Sequence, residues 1–168
     1  LKGKKVLILG SGGASLTARA AAKTEGARQV VVVSRAGEDN YENLPDRHGD
    51  AEVLINTTPV GMWPKLEGSP VDLRLLPKLT DVADVIYNPG RTNLLLQAEE
   101  LGLRRAGGLP MLVQQAKRAE ELFFDRAIPD AETEKIAAQL RREMTNIVLV
   151  GMPGSGKTTV GQELARLS

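Results

Sequence analysis

The sequence has no cysteine, one histidine and few aromatic residues, with Phe, Trp and Tyr together at 3% of 168 residues. The first absence excludes disulfides, thiolate nucleophiles and cysteine-based metal sites, and fits a reducing, cytoplasmic setting. The scarcity of aromatics leaves little from which to build a base-stacking platform for single strands. An excess of charge of one sign is missing too. Lys and Arg number 22 against 21 Asp and Glu, a net charge of +1, so no broad basic surface for nucleic acid is expected and any anion must be bound locally. No apolar run approaches the roughly 20 residues that cross a bilayer, and "LKGKKVLILG" at the start lacks the apolar length and cleavage site of a signal peptide. Neither a membrane nor a nucleic acid is therefore an expected partner. The first residue is Leu, which reads as a start inside a longer protein.

What is present is an ordinary globular composition, 42% hydrophobic and 26% charged, on a chain long enough for one well-buried domain with a little left over. Continuous apolar runs recur at "VLILG" (6–10), "VVVVS" (30–34), "VLINTT" (53–58), "DVIYN" (84–88) and "IVLVG" (147–151). Runs without alternation suit strands covered on both faces. Helical spacing fills the intervals: "ASLTARAAAKTEG" ends on a Gly stop, and "TNLLLQAEELG" opens on a Thr cap and also ends in Gly. "LPMLVQQAKRAEELFFD" carries Pro in its first turn and aligns Leu112, Val113, Ala116, Ala119 and Phe123 along one face. "DAETEKIAAQLRREM" follows, with Asp130 as its expected cap. Strand alternating with helix predicts an α/β fold with a doubly wound, mostly parallel sheet. The best boundary lies near Met144, giving a main domain over 1–143 and a short strand-helix appendage over 144–168.

Gly10, Gly12 and Gly13 fall between the first expected strand and the first expected helix, close to GxGxxG with Ser15 at the third glycine. Glycine there permits a tight turn and a close approach of backbone to a pyrophosphate, which the helix amino end attracts. An NAD site usually has an acidic residue about 20 residues further on to accept the ribose hydroxyls. Here Ser34 and Arg35 occupy that edge. A guanidinium holds a phosphate that a carboxylate would repel, so NADP(H) is the expected cofactor. The plain alternative is a solvated Arg35 with Glu38 and Asp39 weakening its field. His48, in the polar loop "DRHGD", reads as a solvated loop residue.

The end of the chain, "GMPGSGKT", fills GxxxxGK[ST] with Gly151, Gly154, Ser155, Gly156, Lys157 and Thr158. Such a loop wraps the phosphates of ATP with its amides and its Lys, and the Thr158 hydroxyl would hold magnesium. One strand and one helix cannot make a working phosphotransferase.

Taken together, "LGSGGAS", "SRAGEDNYENL", "NTTPVGM", "DVIYNPGRTNLL" and "GGLPMLVQQA" occur in an order and spacing that resembles shikimate dehydrogenase, from about Lys2 to Arg142. The resemblance implies a Rossmann-like NADP-binding domain of an oxidoreductase that reduces 3-dehydroshikimate to shikimate, in aromatic amino acid biosynthesis. It covers only the cofactor half; the catalytic Lys and Asp pair of that family belongs to an amino-terminal domain, so no catalytic residue is expected here. Carried over by position, Gly10, Ser11, Gly12, Gly13 and Ala14 would form the pyrophosphate loop. Ser34, Arg35 and Ala36 would meet the ribose phosphate, and Thr58, Val85 and Gly108 the nicotinamide side. Tyr87 and Gln115 would touch the substrate. Their plain alternatives are a buried strand aromatic and an exposed helix residue. The family often has Asn-Arg-Thr and a second Arg where this chain has Ala36 and Asp39, which implies a weaker NADP preference. The appendage resembles the start of shikimate kinase, implying a bifunctional chain. Other readings are a quinate/shikimate dehydrogenase, a non-catalytic NADP-binding module and a phosphotransferase.

Overall fold

A computed structural model of the chain describes residues 1–167. Five parallel strands lie in the order β2-β1-β3-β4-β5: β1 Lys5–Leu9, β2 Gln29–Val33, β3 Val53–Asn56, β4 Asp81–Asp84 and β5 Arg104–Ala106. The helices are α1 Gly13–Thr24, α2 Leu44–His48, α3 Asn93–Glu100, α4 Leu109–Phe124, α5 Asp130–Glu143 and α6 Lys157–Leu167, with a short 3-10 helix at Leu73–Leu75. This is the expected doubly wound α/β architecture. The side-chain period of two divides the sheet into two faces. Val6 and Ile8 point toward α1 and pack with Ala22 and Val53. Leu7 and Leu9 point the other way, with Val31, Val33, Leu54 and Val82, and meet Leu44, Leu73, Leu76, Leu94, Leu95 and Ala98. The purely apolar runs of β1 and β3 are thus explained by cover on both sides. No helix among the described residues is long and apolar enough to cross a membrane.

Two expected strands are corrected and one strand was not expected. The strand expected at 84–88 lies earlier, because its ladder partner β3 ends at Asn56, which pairs with Asp84. Val85 donates one last hydrogen bond to the Asn56 carbonyl at 3.1 Å, and the chain then leaves the sheet. The strand expected at 147–151 does not form. Its apolar run joins neither sheet edge, leaving Val148 79% and Val150 90% exposed, and a strand without neighbours has nothing to satisfy its backbone. β5, on "RRA", carries no apolar run to announce it; its Arg104 and Arg105 are the charged residues that suit an outer strand.

The carboxyl-terminal helices also depart in detail. Pro129 rather than Asp130 caps α5, and the Asp130 carboxylate instead pairs with Lys117 of α4. On α4 the expected apolar face is buried only in its early turns, at Leu109 and Val113; Ala116 and Ala119 are exposed, as is Phe123 at 84%. α5 covers the early turns, where a groove is lined by Val113, Thr133 and Ala137.

Asp81 ties β4 to the residue before β1 and to β5. Burial pushes its carboxyl upward, but Lys4 Nζ at 2.6 Å, the Thr80 hydroxyl at 2.6 Å and Arg104 Nε at 2.7 Å outweigh it and hold the pKa at about 2. A carboxyl with a depressed folded-state pKa contributes stability above its unfolded pKa and loses it as pH falls toward the folded one. Between pH 4 and pH 2, Asp81→Asn is therefore expected to flatten the acid limb of the stability curve by about 1 kcal/mol, reduced by solvent screening. Urea melts at half-unit pH steps check this; parallel curves for the two proteins would contradict it.

Candidate functional site

The sheet order reverses between β1 and β3, and in open parallel sheets this switch point is where a crevice opens at the strand carboxyl ends. Gly10 sits there at φ +102°, a conformation few L side chains adopt. A Cβ on Gly10 would also lie 2.9 Å from Thr57 Oγ1 and 3.1 Å from Thr58 Cγ2. The Thr57 hydroxyl donates to the Leu9 carbonyl at 2.6 Å, so the ends of β1 and β3 are sewn together directly beneath the glycine turn. Gly12 is the N-cap of α1, whose first turn carries no acidic residue. Ser11 to Ala14 are exposed, and a Cβ on Gly12 or Gly13 would meet no protein atom within 4 Å. The protein's own packing does not demand these two glycines; the open helix mouth above them suits an anion. Ser15, at the third glycine position, is buried and its amide donates to the Gly12 carbonyl.

At the tip of β2, Ser34 is half-buried and Arg35 and Ala36 are exposed. The Ser34 amide closes the following loop on the Asp39 carbonyl at 3.1 Å. Arg35 forms no ion pair among the described residues, although it lies near enough to the Tyr41 hydroxyl to oppose the upward push that burial gives its pKa. His48 overturns its reading as a solvated loop residue. It is 6% exposed, at the end of α2, and its Nε2 lies 2.8 Å from Asp39 Oδ1. Leu44 of the same short helix is fully buried in the main core, which draws His48 inward with it. That hydrogen bond, against the opposing effect of burial and with help from Arg47, holds the Asp39 carboxyl below the usual range.

At the ends of β3 and β4 lies a network that the motifs did not single out. Asp84 is almost fully buried, pairs with no cation among the described residues, and accepts from Asn56 Nδ2 at 3.0 Å, the Thr92 hydroxyl at 2.7 Å and the Ile86 amide at 3.1 Å. Because Asp84 can take only the amide NH2 of Asn56, the Asn56 oxygen faces Thr58 and accepts from its amide at 3.0 Å and its hydroxyl at 2.7 Å. Thr92 in turn caps α3. A carboxylate at the end of an apolar strand, facing an Asn in the matching register, was the available signal.

Val85 and Gly108 meet backbone to backbone where α4 begins, with the Gly108 amide donating to the Ile86 carbonyl at 3.0 Å. Tyr87 and Gly108 line a common cavity of about 550 Å³ with Arg91, Arg105 and Arg141. Tyr87 is 43% exposed and lies past the end of β4, which removes its reading as a buried strand aromatic. Gln115 is exposed on α4 and does not line that cavity. At the far end, Gly154 and Gly156 take φ of +79° and +78°, and Lys157 Nζ donates to the Gly151 and Met152 carbonyls at 2.8 and 2.7 Å and approaches Ser155 Oγ at 3.4 Å. Thr158 is exposed in the first turn of α6.

A glycine turn at the switch point of a parallel sheet, under a helix mouth free of acid, defines the class: a Rossmann-like α/β domain. The comparisons narrow it. No family model matches the chain. It is 31% identical over 153 residues to the shikimate dehydrogenase (NADP(+)) of Clostridium perfringens, covering 84% of this chain and 56% of that protein. To the shikimate dehydrogenase (NADP(+)) of Caldicellulosiruptor bescii it is 37% identical over 143 residues, covering 74% and 49%. Among solved structures, a chorismate mutase/shikimate 5-dehydrogenase fusion protein from Clostridium acetobutylicum matches with a TM-score of 0.81 at 33% identity, over 86% of this chain and 57% of that one. A quinate dehydrogenase from Corynebacterium glutamicum in complex with NAD matches with a TM-score of 0.73 at 25% identity, over 82% and 56%. The homologues are thus NADP-dependent shikimate dehydrogenases, and the chain spans about half the length of the curated relatives it matches.

Proposed function

We propose that this chain is the cofactor-binding half of an NADP-dependent shikimate dehydrogenase, which reduces 3-dehydroshikimate with NADPH to shikimate. The observation that carries the proposal is the placement of the Gly10 turn, the open mouth of α1 and Arg35, which forms no ion pair among the described residues, at the ends of β1 and its neighbour β2 beside the switch point. The residues fit the dinucleotide. Ser11 to Ala14 offer amides and space to a pyrophosphate, and Arg35 with the Ser34 hydroxyl offers a cation and a donor to a ribose 2′-phosphate. Thr58, Val85 and Gly108 border the nicotinamide side, and Tyr87 reaches toward the substrate. NADPH supplies the hydride; the chain's part is position and orientation. The acid that protonates the forming alkoxide belongs to the other half of the enzyme, so this chain alone binds cofactor without turning over.

The same proposal extends to the appendage, read as the start of a shikimate kinase domain. Its support is the motif together with the two left-handed glycines and the lysine folded over the loop. A quinate/shikimate dehydrogenase is the neighbouring reading, supported by the fold match to a quinate dehydrogenase.

Calorimetric titration tests the proposal. NADP is expected to bind at micromolar concentration and NAD about tenfold more weakly, for want of the 2′-phosphate contact. ATP with magnesium is expected to give no heat, and NADP with shikimate no growth of absorbance from reduced cofactor. Absence of heat with both NADP and NAD would sink the reading.

A further inference from the structure

The loop that follows β2 carries two carboxylates, Glu38 and Asp39, within four residues of the guanidinium proposed to read the ribose phosphate. On charge alone they should cancel Arg35 and favour a ribose with free hydroxyls. The geometry disposes of both. Arg47 of α2 spans them, with Nη1 3.0 Å from Asp39 Oδ1 and Nη2 2.9 Å from Glu38 Oε1, and Nη1 also donates to the Glu38 carbonyl at 3.1 Å. The buried His48 holds the same Asp39 oxygen from behind, and its other ring nitrogen, Nδ1, is buried without a partner, so its ring is committed to this one contact. Asn43 closes the loop, its Nδ2 on the Glu38 carbonyl and its Oδ1 accepting from the Asn40 amide, each at 2.9 Å.

We infer that Arg47 is a specificity-determining residue: by engaging Glu38 and Asp39 it leaves Arg35 as the uncompensated cation at the tip of β2 and so selects a 2′-phosphorylated ribose over a plain one. The inference rests on the reading of this site as an NADP site, and it reverses the expectation that Asp39 weakens the preference. Exposed ion pairs contribute little to stability, so the worth of this arrangement lies in the local field rather than in the fold. Arg47 acts through Arg35 and the two carboxylates, and touches no reacting atom.

The test uses the whole chain and two small probes, adenosine 2′,5′-bisphosphate and adenosine 5′-monophosphate, which differ only in the group at issue. Calorimetry at 20 mM and 300 mM salt reads their affinities. The unaltered chain is expected to prefer the bisphosphate. Arg47→Gln frees Glu38 and leaves Asp39 only its bond to His48, and is expected to weaken the bisphosphate about tenfold at low salt, less at high salt, with the monophosphate held within about twofold. Arg47→Lys keeps most of the preference, and adding Glu38→Gln to Arg47→Gln restores part of it. Glu38 is largely exposed, so Glu38→Gln alone folds whatever Arg47→Gln does, and because Arg47 already engages that carboxylate it is expected to hold the bisphosphate within about twofold. Equal losses for both probes in Arg47→Gln, no recovery in the double variant, or a gain in Glu38→Gln alone as large as the loss in Arg47→Gln would overturn the inference while leaving the NADP reading intact. Failure of the unaltered chain to bind either probe would overturn the reading and the inference with it.

Discussion

Replacing Gly108 with alanine is expected to destabilise the domain by about 3 kcal/mol or more and lower the melting temperature by about 10 °C, the cost of forcing backbone apart where no side chain can yield. Its φ of −77° is ordinary, so conformation is not the reason. Space is. A Cβ there would lie 2.0 Å from the Val85 carbonyl oxygen, 2.5 Å from the Val85 carbonyl carbon and 2.9 Å from that of Ile86. All three are backbone atoms of the segment leaving β4, and the Gly108 amide is hydrogen-bonded to that segment. The amino end of α4 would have to lift away, taking with it the wall of the Tyr87 cavity. Gly107 is the control next door: a Cβ there meets its nearest atoms at 3.6 Å, ordinary contact, so Gly107→Ala is expected to cost less than about 1 kcal/mol. Denaturant melts of the two variants make the comparison, and NADP titration of Gly108→Ala below its melting temperature is expected to show weakened binding. Equal stability for the two variants would mean that α4 rides freely over the Val85 backbone.

The contrast between those adjacent glycines shows what the sequence makes legible. "GGLPM" identifies a turn into a helix, yet only the packing separates the glycine that must be glycine from the one that need not be. The same holds for the apolar runs. β1, β2 and β3 are visible because each is covered on both faces, which demands continuous Val, Ile and Leu. β4 was displaced by three residues because Val85 and Ile86 extend the apolar run past the point where β3 turns away at Thr57. The 147–151 run looks identical in composition and forms no strand, since hydrophobicity records a capacity for burial and not a partner. The glycine turn proposed to hold the pyrophosphate was legible as a turn because Gly10 must take a left-handed φ at the end of β1. The Arg47 and His48 arrangement was not, because a histidine in "DRHGD" is polar by its neighbours and becomes buried only when Leu44, one turn earlier, enters the core.

Asp84 offers the second large effect, with a pH signature of its own. Burial pushes its carboxyl above the usual range, against the pull of hydrogen bonds from Thr92, the Ile86 amide and Asn56. Among the described residues no cation compensates it. A carboxyl whose folded-state pKa lies above its unfolded value takes up a proton more readily in the folded protein, so the stability tied to that proton is full below about pH 4 and is lost as pH rises through the folded pKa. Asp84→Ala removes the acceptor for three buried donors and is expected to cost about 3 kcal/mol, at the upper end for stranded polar groups. Asp84→Asn keeps the shape and one carbonyl acceptor and sheds the buried charge, so at neutral pH it is expected to stay within about 1 kcal/mol of the unaltered protein. As pH falls from 7 to 4 the unaltered protein should gain on the Asn variant, whereas the Asp81 effect acts below pH 4 with the opposite sign and leaves this window clear. The consequence reaches the proposed cofactor side because Asp84 sets which way the Asn56 amide faces, and that amide anchors Thr58 beside Gly10. In Asp84→Ala the amide is free to turn, and NADP affinity is expected to fall several-fold even where the chain remains folded. Chemical melts of the three proteins across pH 4 to 7, paired with NADP titrations, give both readouts; an Ala variant as stable as the Asn variant would show that Asn56, Thr92 and the Ile86 amide find other acceptors and that the network is not what holds the ends of β3, β4 and α3 together.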